Sequence, residues 1–462
     1  MIHYQSLPYP LDAQRVFEAV RDLGDAVLLD SSHPASSRGR YDIISAAPDV
    51  VVRFDASGLD VIENGAVAST GTDTPFQLLE TLLAALGQHE TDPEIPFNGG
   101  FMGIFSYDLG RAIEQLPSRA EADIDFPWLR LGRYLWAVII DHQTRRSCLM
   151  QHSLAQPNVL QQVKQRLADI TRNNSDATTR PGTAFHLKTP FKGNMDKAAY
   201  GRALNRIDDY IHAGDCYQIN FTQRFSADCC GDPWQAYRAL RRIAPTPFAA
   251  FLESEDGTIL SLSPERFIEV TPAGDVETRP IKGTRPRAVE PAEDQALARQ
   301  LLESAKDRAE NLMIVDLLRN DLSKSCLPGS VEVPELFSIE QYPNVHHMVS
   351  SVRGVLRPGI TPIRLLQDSF PGGSITGAPK IRAMEIIDEL EPQRRSVYCG
   401  SIGYISSCGR MDTSITIRTL LVQNDRIHCW AGGGIVADSN IDDEYQECFN
   451  KVNNLLQTLE RL

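Results

Sequence analysis

The sequence predicts a mixed α/β (α+β) chain, and three observations carry that reading. Short β-branched runs such as Asp49-Val50-Val51-Val52-Arg53-Phe54 and Trp136-Ala137-Val138-Ile139-Ile140-Asp141 read as strands. Apolar residues recur at helical spacing over residues 75–86, in Tyr200, Leu204, Ile207 and Ile211, and again in Tyr445, Phe449, Val452, Leu456 and Leu459. Tyr217, Ile219 and Phe221 alternate with Gln218, Asn220 and Thr222, the period of a half-buried strand with polar groups on its other face. The 462 residues suffice for a large core, and no repeat of fixed period divides them.

In chain order, residues 1–171 supply the first strands and one helix, with little chemistry of their own. Arg172-Asn173-Asn174-Ser175-Asp176-Ala177-Thr178-Thr179-Arg180-Pro181-Gly182-Thr183 is polar and aperiodic, so residues 172–192 read as an exposed connection. Residues 193–462 carry the sharper signals. Gly214 sits where a cap should end the helix of Tyr200 to Ile211. Arg279-Pro280-Ile281-Lys282-Gly283-Thr284 reads as a strand end or turn. A long helix is expected over residues 292–318 and a final one over residues 442–459.

Composition narrows the function. Hydrophobic residues make up 42% and charged residues 23%, with a net charge of −14, which argues against a nucleic-acid or acidic-membrane surface. No apolar run approaches the roughly 20 residues that span a bilayer. Met1-Ile2-His3-Tyr4-Gln5-Ser6-Leu7-Pro8 has neither the basic start nor the apolar core of a signal peptide. The nine cysteines lack C-x-x-C spacing. Reduced thiols and a cytoplasmic location are expected.

Several constellations bear on chemistry. Glu303, Asp307 and Glu310 stand at i, i+4 and i+7, an acidic stripe on one expected helix; Glu444, Glu447 and Lys451 flank the apolar face of the last. Stacked carboxylates repel by a few tenths of a kcal/mol per pair, a cost that a hard cation such as Mg²⁺ would relieve. On spacing alone a solvated acidic face is the better reading. Pro371-Gly372-Gly373-Ser374-Ile375-Thr376-Gly377-Ala378-Pro379-Lys380 runs into a helix starting near Pro379, and Ala431-Gly432-Gly433-Gly434 follows an expected strand at 426–430. Both read as glycine-rich loops able to seat an anion, and neither matches a P-loop or dinucleotide fingerprint. Lys282 lies between Arg279 and Arg285. An ordinary lysine is neutral in about one molecule in 2,500 at pH 7, so an amine nucleophile needs burial and neighbouring positive charge.

From about Lys192 onward the chain resembles the chorismate-utilising enzyme family, which takes in anthranilate, aminodeoxychorismate, isochorismate and salicylate synthases. The resemblance rests on Leu262-Ser263-Pro264-Glu265-Arg266-Phe267, Pro280-Ile281-Lys282-Gly283-Thr284, Lys306-Asp307-Arg308-Ala309-Glu310-Asn311 and His346-His347-Met348-Val349-Ser350. It continues through Gly372-Gly373-Ser374-Ile375-Thr376-Gly377-Ala378-Pro379-Lys380, Asp412-Thr413-Ser414-Ile415-Thr416-Ile417-Arg418-Thr419 and Ala431-Gly432-Gly433-Gly434-Ile435. The family fold it implies is that of anthranilate synthase component I: two large, mainly antiparallel sheets packed as a sandwich with helices outside.

The resemblance also implies roles. Gln218 stands where water-adding members carry a lysine base, which favours ammonia as the nucleophile. Lys282 replaces the alanine of anthranilate synthases and points to the aminodeoxychorismate-forming branch. That branch is an amino-group transferase serving p-aminobenzoate and folate synthesis; anthranilate synthase component I is the alternative. Lys282 would attack C2 of chorismate and Glu265 would protonate the leaving C4 hydroxyl. Glu310 and Glu447 match Mg²⁺ ligands, with Asp307 and Glu444 beside them. His347, Thr376, Gly377, Arg418, Gly432, Gly433, Gly434, Lys451 and Gln218 match substrate-binding positions. Ammonia would come from a glutamine amidotransferase (glutaminase) subunit in a heterodimer, since no glutaminase cysteine elbow is found. The N-terminal region resembles the family's regulatory half, with a tryptophan site expected around Ser31, Tyr41, Pro247 and Phe248.

Overall fold

Two sheets of 13 and 12 strands organise the chain. The computed structural model describes residues 1–462 apart from 37–38, 64, 72–73, 88, 90, 173–182 and 343–344. The first sheet runs from the strand Ile2–Leu7 through Trp136–Asp141, Ala26–Asp30, Phe248–Ser254, Gly257–Ser263 and Arg426–Ile435 to Gln218–Cys230. The second runs from Ile281–Pro286 and Val345–Val355 through Arg266–Val270, Met411–Ile415 and Ser401–Ser406 to Gly100–Phe105 and Val50–Asp55. Each sheet joins strands from both ends of the sequence, antiparallel. Asp30 is level with Ala249 in the first, and Gly103 with Gly403 in the second.

Alternation along the strands sorts side chains into two layers. Val27, Ile43 and Ile139 face the second sheet, in one buried cluster with Val52, Ile104 and Ile268. Their neighbours Leu28, Ile44 and Val138 belong to a second cluster with Val16, Leu167, Tyr200 and Leu455 from helices on the outer face. Full burial of each such aliphatic side chain is worth about 1.5–3 kcal/mol. Both layers are therefore continuous across the two ends of the chain. Among the described residues no helix is long and apolar enough to cross a membrane.

The expected elements at 49–54, 75–86 and 136–141 form as Val50–Asp55, Pro75–Ala84 and Trp136–Asp141. Gly214 follows the helix Lys197–His212 with φ +81°, the left-handed cap. Residues 173–182 of the expected connection lie outside the described residues.

Three expectations are corrected. The helix over 292–318 is two helices, Pro291–Glu303 and Ala305–Ser323, because Ser304 turns extended (φ −63°, ψ 111°) and caps the second by accepting Asp307 N–H. Glu303 is thereby separated from Asp307 and Glu310. The strand expected to be half-buried at 217–222 runs as Gln218–Cys230 and is buried on both faces through Phe225, with Asn220, Thr222 and Arg224 bonded to Ile375 O, Glu391 and Asp123. The glycines 432–434 lie inside the strand Arg426–Ile435, paired with Thr222, Phe221 and Asn220, and form no loop.

Candidate active site

The Lys282 strand, Ile281–Pro286, pairs with Val345–Val355 through a register shift between Ile281 and Thr284. Gly283 allows it: its φ is +80°, and a Cβ there would lie 2.8 Å from both Leu301 Cδ1 and Asp307 Oδ1. Lys282 Nζ donates to the carbonyl of Ser374 at 3.0 Å. Burial lowers the Lys282 pKa and Lys451 adds to that, while Glu310 and Glu265 pull it back up; the net shift is downward. Glu265, only 5% exposed, is held at the end of the first sheet by Ser263 Oγ, which accepts its backbone N–H at 3.2 Å. Burial pushes the Glu265 carboxyl up to about 7, against hydrogen bonding from Ser374 and the charge of Lys282. A depressed amine and a raised acid thus meet at Ser374.

Two helices bring the acidic groups to this amine. On Ala305–Ser323, Asp307 pairs with Arg285 at 3.0 Å. Burial raises Glu310, with Lys282 and Lys306 opposing. On the last helix, Ile441–Leu459, Glu444 accepts from Ser439 Oγ at 2.7 Å and faces Lys306 Nζ at 3.6 Å. Burial disfavours ionised Glu447, but Lys451 at 2.5 Å outweighs it and holds the carboxyl below its usual range. Lys451 Nζ also donates to Gly432 O at 2.8 Å. Glycine at 433 leaves room for both carboxylates: a Cβ would meet Glu444 Oε2 at 3.0 Å and Glu447 Oε1 at 3.4 Å. Among the described residues no three His, Cys, Asp or Glu side chains form a ready-made metal cage. The donor set, carboxylate oxygens from two helices over a bare backbone, still suits Mg²⁺, which takes one or two carboxylates and completes its shell with water and substrate oxygens.

The remaining matched residues surround the same space. Gln218 is 1% exposed and its Oε1 has no partner among the described residues. Gly434 admits it, since a Cβ there would lie 2.0 Å from Gln218 Nε2; Gly377, at φ +146°, passes within 2.1 Å of Gln218 O by the same measure. Thr376 is fully buried, its hydroxyl donating to Gly372 O at 3.1 Å. His347 Nδ1 lies 2.9 Å from Thr284 Oγ1, and its buried Nε2 has no partner among the described residues. Burial and then Arg418 push this imidazole down to about 3, so it is neutral. His346 points the other way, onto Asp294 at 2.8 Å, as strand alternation requires. Arg418, at φ +50°, has its pKa lowered by burial and forms no ion pair among the described residues. Gln218 Oε1, His347 Nε2 and the Arg418 guanidinium are thus polar groups that the described side chains leave unmet.

The expected tryptophan residues share one end of the first sheet. Leu29 is level with Ile43 and Asp30 with Ala249, so Ser31, Tyr41 and Phe248 follow in one row, with buried Pro247 beside them. Ser31 Oγ donates to Asp42 at 2.6 Å, Tyr41 hydroxyl donates to Glu94 O at 3.0 Å, and Arg266 lies over the Phe248 ring at 5.2 Å. Sequence reasoning missed Ser374 as a backbone acceptor, which no side-chain pattern signals. It also left Lys306 without a role, although its place beside Asp307 was a usable clue.

A half-buried amine, a carboxyl acid and carboxylates from two helices gathered in one corner are the groups of an acid–base site. Residues 35–457 match the family described as chorismate binding enzyme. The chain is 48% identical over 458 residues to aminodeoxychorismate synthase component 1 of Klebsiella aerogenes, covering 98% of each. It is 47% identical over 451 residues to the Escherichia coli protein of that name, covering 97% of this chain and 96% of that one. The fold superposes on the crystal structure of anthranilate synthase component I from Streptococcus pneumoniae with a TM-score of 0.78, at 32% identity and over 91% and 92% of the two chains. The chain belongs to the chorismate-binding enzyme family.

Proposed function

We propose that this chain is the chorismate-aminating component of an aminodeoxychorismate synthase. The observation that carries the reading is the meeting of the Lys282 amine and the Glu265 acid at Ser374. Neutral Lys282 attacks C2 of chorismate, the two ring double bonds shift, and the C4 hydroxyl leaves as water with the proton of Glu265. Ammonia then adds at C4, the double bonds shift back, the C2–nitrogen bond breaks to release Lys282 as the neutral amine, and the new C4 ammonium gives one proton back to the Glu265 carboxylate. Arg418, Lys451 and the bare backbone of Gly432, Gly433 and Gly434 receive substrate carboxylates, with His347, Thr376 and Gly377 shaping the wall. Glu310 and Glu447, with Asp307 and Glu444 beside them, would hold Mg²⁺, which supplies positive charge against the ring carboxylate. Ammonia would come from a separate glutamine amidotransferase subunit, and the amide of Gln218, which cannot serve as a base that activates water, favours ammonia as the nucleophile. The row of Ser31, Tyr41, Pro247 and Phe248 is where tryptophan would bind.

The test is intact-protein mass spectrometry with chorismate and Mg²⁺ while ammonia is withheld. A dehydrated chorismate adduct mapping to Lys282 is expected, absent in Lys282→Ala and suppressed in Glu265→Gln. An unmodified Lys282 would sink the covalent step.

A further inference from the structure

Behind the site lies a buried ion pair that the chemistry above does not use. Arg395 is 2% exposed and Glu391 5%. Arg395 Nε and Nη2 donate to the two Glu391 oxygens at 2.9 and 2.7 Å. Its Nη1 donates to Ile375 O at 2.9 Å and its Nη2 also reaches Asn220 O. Asn220 Nδ2 takes the second lone pair of Ile375 O at 2.8 Å, and Asn220 N–H donates to Thr376 O at 2.8 Å. Glu391 is itself fixed by the N–H and hydroxyl of Thr222, at 2.9 and 2.8 Å. The guanidinium lies 4.9 Å from the Tyr107 ring, which belongs to the N-terminal region.

Burying two charges is costly, and an apolar pair of similar volume is often as stable or more so. What the pair gives is direction, because a guanidinium is a planar fork that fixes several acceptors at once. Here the acceptors are Ile375 O, one peptide unit beyond the Ser374 carbonyl that receives Lys282 Nζ, and Asn220 O, on the strand whose Asn220 side chain and N–H hold Ile375 O and Thr376 O. We propose that Arg395, held by Glu391, is a positioning residue: it fixes the Ser374-Ile375-Thr376 backbone so that the Ser374 carbonyl sets the direction of the Lys282 amine. The proposal rests on the reading that Lys282 is the reacting amine.

The double variant Glu391→Gln with Arg395→Met leaves no unpaired buried charge, and the new amide keeps an oxygen for Thr222. With chorismate, ammonium and Mg²⁺, its kcat should fall about 10²-fold, the cost of a displacement near 1 Å, with KM for chorismate unchanged. Without substrate, acylation of Lys282, followed by peptide mapping, should speed up several-fold. Lys380, buried against Asp321 at 2.6 Å, should label as slowly as before. Should the double variant not fold, Arg395→Lys, which keeps the charge and loses the fork, is read in the same way. Unchanged kcat and labelling would overturn the proposal, as would equal acceleration at Lys380 and Lys282, which means general loosening. Selective Lys282 labelling in a chain whose wild type forms no chorismate adduct would uphold the positioning and refute the covalent chemistry.

Discussion

Glu265 shows how one buried side chain serves chemistry at the expense of stability. Its carboxyl is raised to about 7 by burial, so near neutral pH a large fraction keeps the proton that the proposed departure of the hydroxyl needs. Activity that depends on this acid should fall as pH rises through about 7. In the unfolded chain the group ionises near the ordinary glutamate value, and the folded state binds its proton more tightly. This term therefore favours folding most at acid pH and is lost as pH rises from about 4.5 to about 7, a span worth on the order of 3 kcal/mol. Glu265→Gln should lower kcat by about 10²–10⁴-fold, yet resist urea better than wild type at pH 8, with the difference shrinking at pH 5. An equal stability difference at both pH values would mean that the carboxyl is not raised. Glu265 and Lys282 were legible in the sequence because their motifs carry them. The partner that joins them was not, because Ser374 meets Lys282 through its main-chain carbonyl, which no side-chain pattern signals, and Glu265 through its side chain.

At the scale of the element, the glycine strand sets the carboxylates. A run of three glycines reads as a loop in sequence, since glycine weakens strands. In the fold, each is in the strand because something occupies the space of its missing side chain: Thr222 beside Gly432, the two carboxylates over Gly433, Gln218 against Gly434. Gly433→Ala adds a methyl 3.0 Å from Glu444 Oε2 and 3.4 Å from Glu447 Oε1, the far ends of flexible side chains. The variant should fold and melt like wild type but need several-fold more magnesium for half-maximal turnover. An unchanged magnesium requirement would separate these carboxylates from the metal. The break at Ser304 was likewise hidden, because apolar and acidic spacing runs on across residues 292–318 and only the cap reveals two helices. The final helix was legible in large part: Val452, Leu456 and Leu459 are buried as expected, whereas Tyr445 and Phe449 are half-buried and Glu444, Cys448 and Leu455 complete the buried face.

Across the whole molecule, the two sheets are shared between the ends of the chain, so the catalytic corner is held from both. Phe248 pairs with Ser263, two residues before Glu265, and lies in the same row as Ser31 and Tyr41. Arg395, behind the Ser374-Ile375-Thr376 segment, faces Tyr107 of the N-terminal region. Strand and helix content could be read locally, whereas the pairing of Ala26–Asp30 with Phe248–Ser254 joins residues more than two hundred positions apart and has no local signature. The central claim is that this fold aminates chorismate at C4, as the lysine at 282 requires, and not at the position that yields anthranilate. The most direct measurement is to incubate the purified chain with chorismate, ammonium and Mg²⁺ and identify the product by liquid chromatography and mass spectrometry. The account predicts 4-amino-4-deoxychorismate without fluorescent anthranilate; accumulation of anthranilate, or unconsumed chorismate, would contradict it.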